Sequence, residues 1–258
     1  MAEPTKESRR FTAQEILQAA LENARGELRR SLSKLAFSGV AGGLTMGLTG
    51  LGVAVCRAAL GNGGWQDLAA DLAYPIGFIA VIIGRAQLFT ENTLYPVVLA
   101  LDERGHVWAM LRLWIVVYLS NIFGAWLFAV LAANSAALPG ETLSELVKLG
   151  LTASTGTPGH FFWSGVVGGW IIALVAWTVT ASHWTIGQLA VIYMFTFVVG
   201  AGHFAHCIAS CGEILSAVQF GALPFAGYLR WVAPATLGNI CGGVLIVRLL
   251  NYGQVRAT

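Results

Sequence analysis

Residues 84–94 read GRAQLFTENTL, and they interrupt a chain that is almost wholly apolar from Tyr74 to Ile83 and again from Tyr95 to Leu101. Arg85, Gln87, Glu91 and Asn92 therefore fall inside a stretch long and apolar enough to cross a bilayer. Irregular backbone cannot face lipid, so such an insert must be buried in protein or line a cavity. A second insert of the same kind, GHFAHCIASCGE at 202–213, interrupts the apolar stretch 186–220.

The rest of the composition agrees. The 258 residues are 56% hydrophobic and only 11% charged, with a mean hydropathy of +0.69. A soluble domain carries about 25% charged residues. An all-α integral membrane protein is expected, with no nucleic-acid partner. Its apolar segments are 35–58, 73–102, 108–133, 161–182, 186–220 and 231–251, with the second and fifth broken. The first 34 residues are polar and charged, so no signal peptide is expected ahead of the first apolar run. Residues 1–11 read as a disordered tail. Residues 12–34 read as an amphipathic helix on the membrane surface, with Ile16, Leu17, Leu21, Leu28 and Leu32 on its apolar side. Residues 35–252 form the membrane domain and 253–258 a second tail. A short helix from Glu141 to Lys148 is expected in the segment 134–160.

Basic residues set the orientation. Eleven (Lys6, Arg9, Arg10, Arg25, Arg29, Arg30, Lys34, Arg104, Arg112, Arg248 and Arg256) fall on one side of six crossings, and only Arg57, Lys148 and Arg230 on the other. Both termini are therefore expected in the cytoplasm. Cys56, Cys207, Cys211 and Cys241 read mostly as small core residues.

An internal repeat ties the two inserts together. SGVAGG at 38–43 returns as SGVVGG at 164–169, an offset of 126, and SNIFGAWLFAVL at 120–131 returns as GNICGGVLIVRL at 238–249, an offset of 118. The second offset lays Arg85 on His203, Leu88 on His206 and Asn92 on Ser210. Each half has three crossings, an odd number, so the halves must be inverted. Interrupted helices at matching positions of inverted repeats point to a transport site near mid-membrane. The half-helix N-termini would favour an anion there.

Several residues admit two readings. Ser210 through Glu213 has the spacing of a capping box, with Asn92 as the equivalent cap in the first half. Arg85 needs a partner if it is buried, and Glu91 is a nearer candidate than Glu213. His203, Cys207 and Cys211 would share a face of one helix, and with His206 and Glu213 they admit a metal-site reading, although no zinc-type spacing is present. No cofactor or metal is expected, and a pore histidine is the better reading.

Three stretches resemble the formate/nitrite transporter family. These are LFT at 88–90 followed by Asn92, AHCIAS at 205–210 and APATLGNICGG at 233–243. The resemblance covers about residues 12–252. It implies six helices per protomer in an aquaporin-like fold, a homopentamer in a bacterial inner membrane, and one pore per protomer with His206 at its centre. The solute implied is a small monovalent anion or its conjugate acid. Leu88, Phe89, Thr90, Asn92 and Ser210 would line its path, with Leu88 and Phe89 as the apolar constriction. Arg85, Glu91 and Glu213 would be pore-associated charges. The chain departs from the family pattern at Arg85, Gln87, Glu91, Ala153, Gly169, Ala205 and Ser210. The resemblance implies a transporter and not an enzyme, and three other readings stay open: a pore for a neutral solute, a non-conducting scaffold or sensor plugged by Arg85 and Glu91, and a membrane enzyme or metal-binding protein using His203, His206, Cys207 and Glu213.

Overall fold

The computed structural model describes residues 10–134, 136–246 and 255. Most of both expected tails, and the end of the last apolar span, lie outside them. Thr12 opens the first helix with a capping box. Its Oγ1 accepts from the Glu15 N–H at 3.3 Å, and its own N–H donates to Glu15 Oε2 at 2.8 Å. Helix α1 (Ala13–Leu28) buries Leu17, Leu21 and Leu28 on one face. It is shorter than the 12–34 expected. Ser31 accepts from the Lys34 N–H at 3.4 Å and starts a separate helix, α2 (Leu32–Leu60). The leucines at 28 and 32 suit one continuous stripe, so their period alone hides this break.

The turn 61–64, GNGG, has positive φ at Gly61, Gly63 and Gly64, a region that residues with a Cβ avoid. Helices α3 (Trp65–Asp71) and α4 (Pro75–Ile83) follow, so the second crossing begins at Trp65 rather than 73. Past the first break come α5 (Tyr95–Asp102), α6 (Val107–Ala133) and α7 (Gly140–Ala153). Helix α7 is longer than the expected 141–148. Its Glu145 accepts from Lys148 Nζ at 2.7 Å and from Asn62 Nδ2 at 3.2 Å, which ties α7 to the glycine turn. Thr157 caps α8 (Pro158–Thr180), and α9 (Thr185–Ala201), α10 (Ala209–Gln219) and α11 (Phe225–Ile246) complete the chain.

The described residues contain no strand. The crossings are α2, α3–α4 with α5, α6, α8, α9 with α10, and α11. The two halves repeat each other's packing, α2 on α6 and α8 on α11. The repeated glycines explain how. A Cβ at Gly43 would overlap the Asn121 carbonyl, and one at Gly169 the Asn239 carbonyl. A Cβ at Gly124 would overlap the Val40 carbonyl, and one at Gly242 the Val166 carbonyl. Small residues let backbones touch where lipid gives helices no hydrophobic reason to associate. Outside, Phe37, Ile115, Leu119, Leu131, Ile186 and Leu237 are exposed, an apolar surface suited to a bilayer. The architecture is all-α, with six crossings in two inverted three-helix halves.

Candidate functional site

Each break opens on a residue in the left-handed region, Arg85 at φ 58° and His203 at φ 49°, which are the pair aligned by the 118-residue offset. The chain leaves the helix there and is then held by one buried asparagine. Asn121 Oδ1 accepts from the Phe89 N–H at 2.8 Å, and Asn121 Nδ2 donates to the carbonyls of Gly39 (2.7 Å) and Gln87 (2.8 Å). Asn239 Oδ1 accepts from the Cys207 N–H at 2.8 Å, and Asn239 Nδ2 donates to the carbonyls of Gly165 (2.7 Å) and Ala205 (2.9 Å). Serine hydroxyls complete the pattern, Ser38 for the Gln87 N–H and Ser164 for the Ala205 N–H. These asparagines and serines satisfy irregular backbone that lipid could not. The sequence comparison found Asn121 and Asn239 as identities but not their task, which needs the third dimension.

His206 is fully buried between the breaks. Its Nδ1 accepts from the Ala209 N–H at 2.9 Å, so the ring carries its proton on Nε2, which lies 2.8 Å from Thr90 Oγ1. His206 thereby serves the first turn of α10, whose preceding residue Ile208 makes no side-chain cap. The capping box expected at Ser210 is absent, because Ser210 already lies inside the helix. Asn92 does not cap α5 either. It sits in the short 3-10 turn Glu91–Thr93 and donates to Gln87 Oε1 (2.8 Å) and the Leu88 carbonyl (3.1 Å).

Leu88 is buried, and Phe89 turns toward α6, edge-on to Trp114 and Tyr118. The ring that meets His206 edge-on, with centroids 5.0 Å apart, belongs to Phe78. Sequence reasoning missed Phe78, although it is the only aromatic residue on α4. Residues 203–207 are not helical, so His203, Cys207 and Cys211 do not share a helix face. Cys211 Sγ instead donates to the Cys207 carbonyl. Among the described residues no group of three or more His, Cys, Asp or Glu side chains is arranged for a metal.

Two cavities flank this buried centre. The one on the α1 side, about 70 Å³, is lined by Ile82, Arg85, Ala86, Gln87, Asn92 and Tyr95, with Asn23, Glu27 and Glu91. The far one, about 410 Å³, is lined by Gly200, His203, Phe204, Ala205, Ser210 and Glu213, the same six positions shifted by 118, among others. Helix α1 reaches the first cavity through Glu27, whose Oε2 accepts from Gln87 Nε2 at 2.9 Å and pairs with Arg30 at 3.0 Å. Arg85 is exposed, and among the described residues it forms no ion pair with Glu91. Its left-handed backbone ends α4, and the side chain lies exposed at the α1-side cavity that Glu91 also lines.

Paired broken helices with a buried polar contact between two vestibules define a membrane channel or transporter built on an aquaporin-like two-fold pseudosymmetry. The formate/nitrite transporter family model matches residues 14–253, and the chain belongs to that family. Its members are channels and transporters, not enzymes. The chain is 33% identical over 237 residues to the inner membrane protein YfdC of Escherichia coli (strain K12), covering 89% of this chain and 74% of that protein. It is 25% identical over 239 residues to the formate channel FocA of Haemophilus influenzae, covering 81% of this chain and 82% of FocA. Among solved structures, an FNT family ion channel superposes with a TM-score of 0.83 at 20% identity, covering 95% of this chain and 99% of that one. A pentameric formate channel with formate bound superposes at 0.76 and 21% identity, covering 92% and 99%.

Proposed function

We propose that the protein is a homopentameric inner-membrane channel or transporter for small weak acids, moved as the neutral acid or as anion plus proton, with both termini in the cytoplasm. The observation that carries this reading is the Thr90–His206 contact. It is an uncharged hydrogen-bonding station, fully buried and packed against Phe78, with a vestibule on either side. A bare carboxylate loses far more hydration in such a passage than its conjugate acid does. His206 can exchange its Thr90 bond for one to a passing acid without any change of ring charge. Thr90, Asn92 and Ser210 would then supply polar contacts on the path. The relatives support the solute class, since FocA is a formate channel and a pentameric structural neighbour holds formate. The likeness to YfdC, an inner membrane protein, supports the membrane, and the excess of basic residues assigned to the α1 side supports the orientation.

A neutral-solute pore is favoured by one feature: neither the station nor Phe78 beside it carries a fixed positive charge. Uptake into proteoliposomes separates the two. Formate, acetate, nitrite and hydrosulfide are compared with uncharged solutes at several pH values. The weak-acid reading expects uptake to rise as pH falls toward each acid's pKa. It also expects His206→Phe to abolish flux while the pentamer persists. Flux that ignores pH, or that survives intact in a folded His206→Phe pentamer, refutes it.

A further inference from the structure

The two vestibules share a scaffold but differ in residue type at all six aligned positions, and one of these differences leaves a buried acid. On the α1 side that position is Tyr95, whose hydroxyl donates to the Ala176 carbonyl at 3.0 Å and lies 3.0 Å from Thr180 Oγ1. In the far half the equivalent residue is Glu213, and the residue equivalent to Ala176 is Gly50. A Cβ at Gly50 would overlap the Glu213 side chain, so α2 is cut back to admit this carboxyl. Nothing there takes the place of the tyrosine's partners. Glu213 is 7% exposed, lines the cavity, and has no hydrogen bond or ion pair among the described residues. It is the fifth residue of α10, past the turn whose N–H groups a capping side chain could serve. Asp71 lines the same cavity at 5% exposure, and its carboxyl too has no hydrogen bond or ion pair among the described residues. Buried carboxylates without partners are costly at membrane depth, and such sites in membrane proteins are where protons are taken up and released.

We propose that Glu213, with Asp71 beside it, is a proton-loading station for the solute in the far vestibule. The proposal rests on the weak-acid reading above. The Glu213 carboxyl O–H breaks and an O–H forms on the incoming anion. The neutral acid moves on to His206 and a carboxylate remains at Glu213. A hydronium ion in the far cavity gives up its proton through Asp71, which restores the acid and leaves water. The other charged or titratable side chains facing this cavity are Arg57 of α2, Asp67 of α3, Tyr74 before α4, His160 of α8 and His203 of the second break. Arg57 is engaged by Asp67, with Nε 3.5 Å from Oδ1, and so acts on Glu213 only at longer range.

Infrared difference spectra test the site without transport. Full-length protein in liposomes is stepped in pH with no solute present, and formate uptake is measured in parallel. The wild type is expected to gain a protonated-carboxyl band on acidification, and Glu213→Gln to lose it. Formate uptake at neutral pH should fall about tenfold or more in that variant. This is less than the 10²–10⁴ a positioned proton donor gives a chemical step, because solution protons remain available. Asp71→Asn should keep the band but slow its recovery. If Glu213→Gln does not assemble, Glu213→Asp retains a shifted band under the same proposal. A band and uptake profile unchanged in Glu213→Gln overturn the proposal alone. A wild type that takes up no weak acid overturns the transport reading and the proposal together.

Discussion

Replacing Asn121 by alanine should destabilise the protein by an amount the structure sets, and Asn239→Ala by the same amount. Each asparagine makes three buried hydrogen bonds to backbone of its break and of the neighbouring helix. Hydrogen bonds between membrane helices average about 0.6 kcal/mol and reach about 1.7 kcal/mol. Three of them give about 2–5 kcal/mol. The largest share comes from the N–H of Phe89 or Cys207, which is left with no acceptor. The Gly39 and Gly165 carbonyls sit within helices and lose less. Asn121→Asp should do no better than alanine: it keeps the acceptor for Phe89 but sets an oxygen against two carbonyls. Reversible unfolding of purified protein in mixed micelles measures these differences. A loss below about 1 kcal/mol at both positions, or a gap of more than about 2 kcal/mol between them, would refute the view that one asparagine per half anchors each break.

Three further outcomes follow from particular residues. Gly43→Ala should cost at least about 1–3 kcal/mol by forcing α2 off α6, whereas Gly26→Ala, with no atom near its added methyl, should stabilise α1 by about 0.5–1 kcal/mol; thermal unfolding of both variants checks this. Arg85→Gly should be neutral or stabilising by up to about 1–2 kcal/mol, because it relieves a left-handed backbone and breaks no ion pair with Glu91; a large loss would restore the buried-pair reading. Finally, the hydrogen bond from Arg25 at 2.7 Å holds the Glu103 carboxyl below its ordinary range, outside the spanning segments. That contribution is present above the ordinary carboxylate pKa and is lost as pH falls through the lowered one. Amide exchange in α1 should therefore speed up as pH falls below the ordinary carboxylate range, and Glu103→Gln should show no such step.

Hydropathy and the repeat were enough to read six crossings, two breaks and their inversion. Bilayer thickness sets a length that composition satisfies or does not, and an odd number of crossings per half admits only opposite orientation. The shared offset even carries the six vestibule positions from one half to the other. Side-chain roles inside the breaks were less legible. Ser210 and Asn92 have the residue types and spacings of caps, but hydrogen bonds are awarded by direction, and His206 took the place at α10. Arg85 stands beside apolar runs in the sequence, yet it is exposed and lines the α1-side cavity. Phe78, Gly50 and Asp71 gained their meaning only from what faces them across the fold. Periodicity along a chain records which surfaces meet lipid, and is blind to which atom of a distant helix completes a polar group; that was decided by tertiary packing alone.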